Sequence, residues 1–287
     1  MHKPSGMTAG GLVCCGLVAV GLLLQMAVGP VRWDMMAWPV NGFVLLALLL
    51  GIVLMHLCRG RVGLFRWMST LQAGIPAIVT CAMLTVLMGV TRQVPSGHVP
   101  TEPFGITSML SFWPFVLAYL WLTMLVGMVS LTRLRPKWRN VPFLLNHLGL
   151  FIALVSGTLG NADMQSLHMM VQEGKSEWRA VDAHGKLYKL PFCIELNDFS
   201  VEKSPKLSYM SDVSVRNRYD VVRRDTIRVN KPLSVSGWKI YQFDYEEARD
   251  GLRDISIFEL VRDPWLPYVY LGIFMMLAGA GGGILKK

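Results

Sequence analysis

Residues Val141–Gly160 read VPFLLNHLGLFIALVSGTLG. A helix needs roughly 20 apolar residues to cross the hydrocarbon core of a bilayer, and this run has that length. It contains no Asp, Glu, Lys or Arg, and its one titratable side chain is His147. Five more runs share its character, at about 8–29, 40–57, 72–91, 105–132 and 265–285, all free of Asp, Glu, Lys and Arg. The notable polar residues within the six runs are Gln25, His56, Asn146 and His147. The chain is 53% hydrophobic and 16% charged, against roughly 25% charged in a soluble domain. The expectation is a polytopic α-helical membrane protein with six transmembrane helices and one extracytoplasmic, mainly-β domain between the last two.

The net charge of +9 invites a nucleic-acid reading, but its distribution excludes one. Residues 161–264 hold 16 Lys/Arg and 17 Asp/Glu, so the long polar segment is almost neutral. The remaining basic residues flank the apolar runs, chiefly Lys3; Arg59, Arg61 and Arg66; Arg133, Arg135, Lys137 and Arg139; and Lys286 and Lys287. Arg32 and Arg92 alone fall in the alternate loops, near Asp34 and Glu102. That alternation is the positive-inside pattern. It puts both termini in the cytoplasm of a bacterial inner membrane and residues 161–264 in the periplasm. Ala27-Val28-Gly29 offers a small-x-small cleavage site. The apolar stretch before it exceeds a signal core of about 7–15 residues, so the run reads as a retained helix.

Within 161–264 the period of the pattern changes. Leu187–Glu202, Tyr209–Arg216, Thr226–Val229, Leu233–Tyr245 and Ile255–Val261 alternate apolar and polar residues, as half-buried strands do. Asn197-Asp198, Ser204-Pro205, Asn230-Lys231-Pro232 and Ser236-Gly237 punctuate them. Residues 162–180 read as helical at first and as a link to the sheet. The domain plan is 1–71 for two N-terminal helices, 72–160 for three more, 161–264 for the β domain, and 265–287 for the last helix and tail. Of five cysteines only Cys193 lies in 161–264, and no CxxC or CxxCH occurs, which excludes a thioredoxin-type thiol carrier and a c-type cytochrome.

A titratable ring in a membrane segment is costly and points to function, as a proton relay or as a ligand, with haem iron a frequent partner. The structural alternative for His147 is an imidazole that bonds a helix carbonyl and fills a helix contact. Gly149, Gly157 and Gly160 let another helix or a flat ligand approach. His56 stands at the end of its run, just before Cys58 and Arg59, where an interfacial role suffices. Its depth matches that of His147, so a two-histidine site stays open. His98, His168 and His184 read as solvated loop residues. Trp138 and Trp265 suit the interfacial aromatic belt, and Trp113 and Trp121 are spaced to share a packing face.

The order of several short motifs resembles the ResB/CcsB family of cytochrome c biogenesis (System II) in its unfused form. NHLGLFIALVSGTLG is followed by PFCIELNDFSVE, SDVSV and DTIRVNKPLSVSGWKIYQFDYE, then by RDPWLPYVYLGIFMMLAGA, across residues 141–283. Residues 72–140 match in hydropathy alone. The resemblance implies a subunit that moves haem across the membrane and holds apocytochrome c for haem attachment beside a CcsA-like membrane partner. It implies His147 as an axial ligand of transiently bound b-type haem, with no catalytic residue on this chain alone. The two N-terminal helices exceed the family's core of about four spans, and Cys193 stands where many relatives have another small residue. The other readings are a membrane b-type cytochrome passing electrons through His147 and His56, and a cofactor-free tethered adaptor of the cell envelope.

Overall fold

The computed structural model describes residues 6–94, 104–134, 137–202, 208–217, 222–228, 230–246 and 254–284. The chain forms two compact units, Met1–Ala162 with Trp265–Lys287, and Asp163–Pro264.

The first unit is helical: α1 (Gly6–Val28), α2 (Val40–Cys58), the short α3 (Gly63–Trp67), α4 (Leu71–Val90), α5 (Trp113–Arg133), α6 (Val141–Leu159) and α7 (Leu266–Ile284). Helices α1, α2, α4, α5 and α6 are each long and apolar enough to span a bilayer, while the apolar stretch of α7, Leu266–Gly282, is shorter. Large apolar side chains face outward on all of them, for example Leu23, Leu54, Met83, Leu120 and Phe274. Such helices satisfy their own backbone groups, which hydrocarbon demands. The chain is a membrane protein.

The expected span at 105–132 starts late. Gly105 has φ +80 and Ser108 is non-helical, so Ile106–Ser111 form a separate 3-10 segment. Pro114 then opens α5 in its first turn, where a missing N–H costs nothing. Periodicity could not show this break, because the segment is apolar throughout.

Helix α5 is the hub, burying Ala118, Leu125, Val126 and Met128 against α1, α2, α4 and α6. Polar groups inside the helical unit act as pins. The Trp113 N–H donates to Gln25 Oε1 at 3.3 Å and its indole N–H to Gly29 O at 2.9 Å. Tyr119 Oη donates to Leu154 O at 2.9 Å, and the fully buried Asn41 donates from Nδ2 to Leu159 O at 3.0 Å. That last bond ties the start of α2 to the end of α6, so these two helices run antiparallel. Helix α7 packs along α6 through small residues. A Cβ on Gly149 would lie 2.6 Å from Gly272 O, and one on Gly272 would lie 2.5 Å from Gly149 O.

The second unit is a sheet of β1 (Gln165–Gln172), β2 (Ser176–Val181), β3 (Leu187–Glu202), β4 (Ser208–Asn217), β5 (Val222–Arg228), β6 (Leu233–Val235), β7 (Trp238–Glu246) and β8 (Ile255–Arg262). Its order is β5-β4-β3-β2-β1-β8-β7-β6, with antiparallel neighbours throughout. The sheet curls until β5 at one end lies beside β6 and β7 at the other. One apolar core fills the curl, including Leu167, Ile194, Leu196, Val213, Ile240, Phe258 and Leu260.

The helical reading of 162–180 is corrected, since β1 and β2 occupy it. Leu167, Met169 and Val171 point inward, and β1 pairs along its length with β8. Pairing with a distant strand overrides the helical preference of the local residues. His168 accordingly sits on a strand, its ring edge-on to Phe243 at 4.7 Å, not in a loop. His184 lies exposed in the β2–β3 turn, as expected. The Leu233–Tyr245 segment splits at Ser236 (φ 48) and Gly237 (φ 83), two left-handed residues of the kind that close a tight hairpin. Bulges at Asn197 and Phe243 shift the inward phase of β3 and β7 by one residue. Phe199 and Tyr245 therefore turn inward and stack at 5.0 Å. In the same core Ser211 Oγ donates to Gln242 Oε1 at 2.6 Å and lies 2.8 Å from Ser256 Oγ, linking β4, β7 and β8.

Candidate functional site

His147 lies two turns into α6, after Asn140 and the helix-opening Pro142. Its Nδ1 sits 3.0 Å from Phe143 O, one turn back. A carbonyl only accepts, so Nδ1 carries the proton and the lone pair is on Nε2. Nε2 has no hydrogen-bond partner among the described residues. The imidazole stacks on the Phe143 ring at 3.9 Å and 18°, and the Arg133 guanidinium lies 5.3 Å from that ring's centre. The ring is half-buried. A fixed imidazole with an open lone pair in an apolar setting is the donor that haem iron takes. The bonding to a helix carbonyl foreseen as the structural alternative is thus present, yet it consumes only one of the two ring nitrogens.

The sequence reading gave Phe143 no role and counted Arg133 only among the flanking basic residues. The signal was there in the i, i+4 spacing of Phe143 and His147, which puts both on one helix face.

His56 is half-buried near the end of α2. Its Nδ1 is enclosed and has no hydrogen-bond partner among the described residues. One turn earlier on α2, Ile52 converges with Phe151 of α6 on Gly127 of α5. A Cβ on that glycine would meet Ile52 Cδ1 at 2.8 Å and Phe151 Cε2 at 3.0 Å.

The other candidates separate from this place. Trp113 pins α1 to α5, and Trp121 packs against Trp67 with ring centres 6.3 Å apart. Trp265 lies against Gly160, and Trp138 is 87% exposed just before α6. Of the three glycines of α6, Gly149 and Gly160 are close-approach positions, whereas Gly157 faces open space. Cys193 is a free, half-buried thiol on β3. His98 lies outside the described residues. No group of three His, Cys, Asp or Glu side chains able to hold a bare metal ion occurs among the described residues.

Residues 130–253 match the model of the ResB-like family. That stretch begins at the end of α5 and takes in His147 and the sheet as far as the residues after β7. Cytochrome c biogenesis protein Ccs1 of Pyropia yezoensis is 33% identical over 107 residues, covering 35% of this chain and 24% of the relative. The chain thus spans about a quarter of the length of the curated relative it matches. A solved structure of the cytochrome c haem lyase CcmF aligns over 74% of this chain and 34% of its own, at 10% identity and a TM-score of 0.37, a likeness too slight to carry any argument. The match of residues 130–253 to the ResB-like family and the Ccs1 relative agree with the resemblance to the ResB/CcsB family of cytochrome c biogenesis carried by the motifs quoted above.

Proposed function

We propose that this chain is a membrane subunit of a cytochrome c biogenesis complex and that His147 binds haem on its way across the bilayer. The observation that carries the reading is the hydrogen bond from His147 Nδ1 to Phe143 O. It sets the tautomer, points the Nε2 lone pair away from its own helix and holds the ring against Phe143. A neutral, oriented imidazole is what an iron porphyrin requires of a protein ligand. When bound, haem supplies the cargo that the outer chemistry attaches to protein thiols. This chain's residues bind and orient it.

The basic residues around α6, Arg133 and Arg139 among them, support a cytoplasmic location for that end of the helix by the positive-inside rule. On that orientation α7 is a sixth span and the sheet lies in the periplasm of a bacterial inner membrane. There it holds apocytochrome c near a CcsA-like membrane partner on which the thioether bonds form. The family match and the name of the Ccs1 relative support this assignment.

The test is co-purification with the CcsA-like partner, native chain against His147→Ala. The expected result is loss or shift of the Soret band and failure to mature c-type cytochromes. Unchanged haem content and normal maturation refute the assignment.

A further inference from the structure

We infer that one end of the helical unit is a binding surface for anionic phospholipid headgroups, built from the α2–α4 connection that carries α3 and from the α5–α6 connection.

The two connections lie at one level. Ile52 of α2 and Phe151 of α6 converge on Gly127 of α5. Together with that junction, the Asn41–Leu159 and Tyr119–Leu154 hydrogen bonds make α2 and α5 both antiparallel to α6. From the junction α2 runs six residues to Cys58, α5 six residues to Arg133, and α6 reaches back ten residues to Val141. At about 1.5 Å per residue these ends lie about 9, 9 and 15 Å beyond it, a spread of about 6 Å. One headgroup layer has a comparable thickness.

Arg59, Arg61 and Arg66 stand in the first connection, and Arg133, Lys137 and Arg139 in the second; all but the half-buried Arg59 are exposed. The neighbouring chain offers them no counter-charge. Residues 35–101 and 103–162 contain no Asp or Glu. The ion pairs among the described residues, Arg32–Asp34, Arg179–Glu177 and Arg223–Asp225, lie elsewhere. Like charges gathered in this way repel one another and attract anions from outside the chain.

The same surface exposes apolar side chains among the cations. Helix α3 presses Phe65, Trp67 and Met68 against the helical core, which leaves Leu64 54% exposed between Arg61 and Arg66. In the other connection Leu134 is 65% exposed beside Arg133, and Trp138 is 87% exposed between Lys137 and Arg139. The Arg133 guanidinium is held 5.3 Å from the centre of the Phe143 ring. A soluble anion satisfies the cations and leaves Leu64, Leu134 and Trp138 in water. A headgroup layer takes both, with apolar side chains at the acyl boundary and guanidinium groups on phosphate oxygens. Clusters of about four to eight Lys or Arg at the ends of membrane helices select anionic lipids, and each such cation strengthens the attraction by about fivefold.

The experiment uses the full-length chain reconstituted in dioleoylphosphatidylcholine bilayers with a trace of spin-labelled phosphatidylglycerol or spin-labelled phosphatidylcholine. The motionally restricted part of the electron paramagnetic resonance spectrum gives the relative affinity of the protein for each lipid. The native chain is expected to prefer phosphatidylglycerol severalfold, and to lose the preference in about 1 M NaCl, where the screening length is about 3 Å. Arg61→Gln with Arg66→Gln, and Lys137→Gln with Arg139→Gln, are each expected to lower it severalfold. Arg61→Lys with Arg66→Lys is expected to keep it, as is Arg32→Gln, whose charge is paired with Asp34. The native chain in low and high salt decides the matter if the Gln variants fail to accumulate. Cations that only orient the helices in the membrane predict equal affinities for the two lipids, and that result overturns the inference. So does a preference that neither Gln pair lowers, or that Arg32→Gln lowers equally. Loss of the preference when the CcsA-like partner is reconstituted with the chain assigns the surface to that protein and also overturns it.

Discussion

The seam between α6 and α7 is the contact least able to accept added volume. Gly149→Ala places a methyl 2.6 Å from Gly272 O, 2.9 Å from Met275 Cβ and 3.0 Å from Met276 N. Ordinary contact begins at 3.4 Å, so α7 must withdraw by 3.4 − 2.6, or about 0.8 Å. The nearest atoms belong to backbone or sit next to it, and no side-chain rotation relieves the clash. Overpacking of this kind costs about 1–3 kcal/mol. The gain in helix propensity from Gly to Ala offsets at most about 1 kcal/mol of it. Gly272→Ala meets Gly149 O at 2.5 Å and Ala153 N at 2.8 Å, and is expected to cost a similar amount. The double variant should cost less than the sum, because a seam already opened by one methyl has room for the second. Gly157→Ala is the control, since a Cβ there meets nothing within 4 Å. The assay is unfolding of the full chain in mixed micelles with rising denaturing detergent, followed by tryptophan fluorescence. Destabilisation at 149 and 272 with none at 157, and a sub-additive double variant, is the expected pattern. Equal stability of all three single variants refutes the close packing of α6 on α7.

Two further outcomes concern the sheet. Ser211→Ala removes the hydroxyl that donates to Gln242 Oε1 and leaves that oxygen without its donor. The cost is about 1–3 kcal/mol, read as faster amide hydrogen exchange in β4, β7 and β8 together; a change confined to β4 contradicts the cross-sheet link. Glu177 accepts from the Arg179 side chain and from the backbone N–H groups of Trp178 and Arg179. The Arg179 bond first, then those N–H groups, hold its carboxyl down from 4.5 to about 2. A lowered carboxylate stabilises the fold fully above its unfolded value and loses that contribution as pH falls through the folded one. Protection of the β2 amides should therefore decline between about pH 4.5 and about pH 2. In Glu177→Gln this pH dependence should vanish, and its persistence in that variant rules Glu177 out as the cause.

The haem reading and the packing meet on α6. One face of the helix, through Gly149 and Ala153, is committed to α7, while Phe143, His147 and Phe151 turn toward α5. An imidazole on the second face is held by a helix that the first face fixes in place. Positioning a ligand on a rigid element is how a site gains accuracy.

Features that depend on local composition were legible from the residues alone. Runs such as Val141–Gly160 contain no charge, and lipid leaves an apolar chain of that length no alternative to helix. Period-two patterns such as Leu187–Glu202 became strands for an equally local reason, the alternation of a half-buried surface. His147 was visible because one ring stood in a run with nothing else to titrate. Features that depend on partners far along the chain could be read only from the fold. Residues 165–181 became strands because β8, about 90 residues later, supplies the hydrogen bonds of β1. The phase shifts at Asn197 and Phe243 follow from register with neighbouring strands. The break before α5 came from a left-handed Gly105. Which nitrogen of His147 stays open was likewise settled by the helix around it. Composition records what a segment is made of; the geometry of its neighbours determines what each side chain faces.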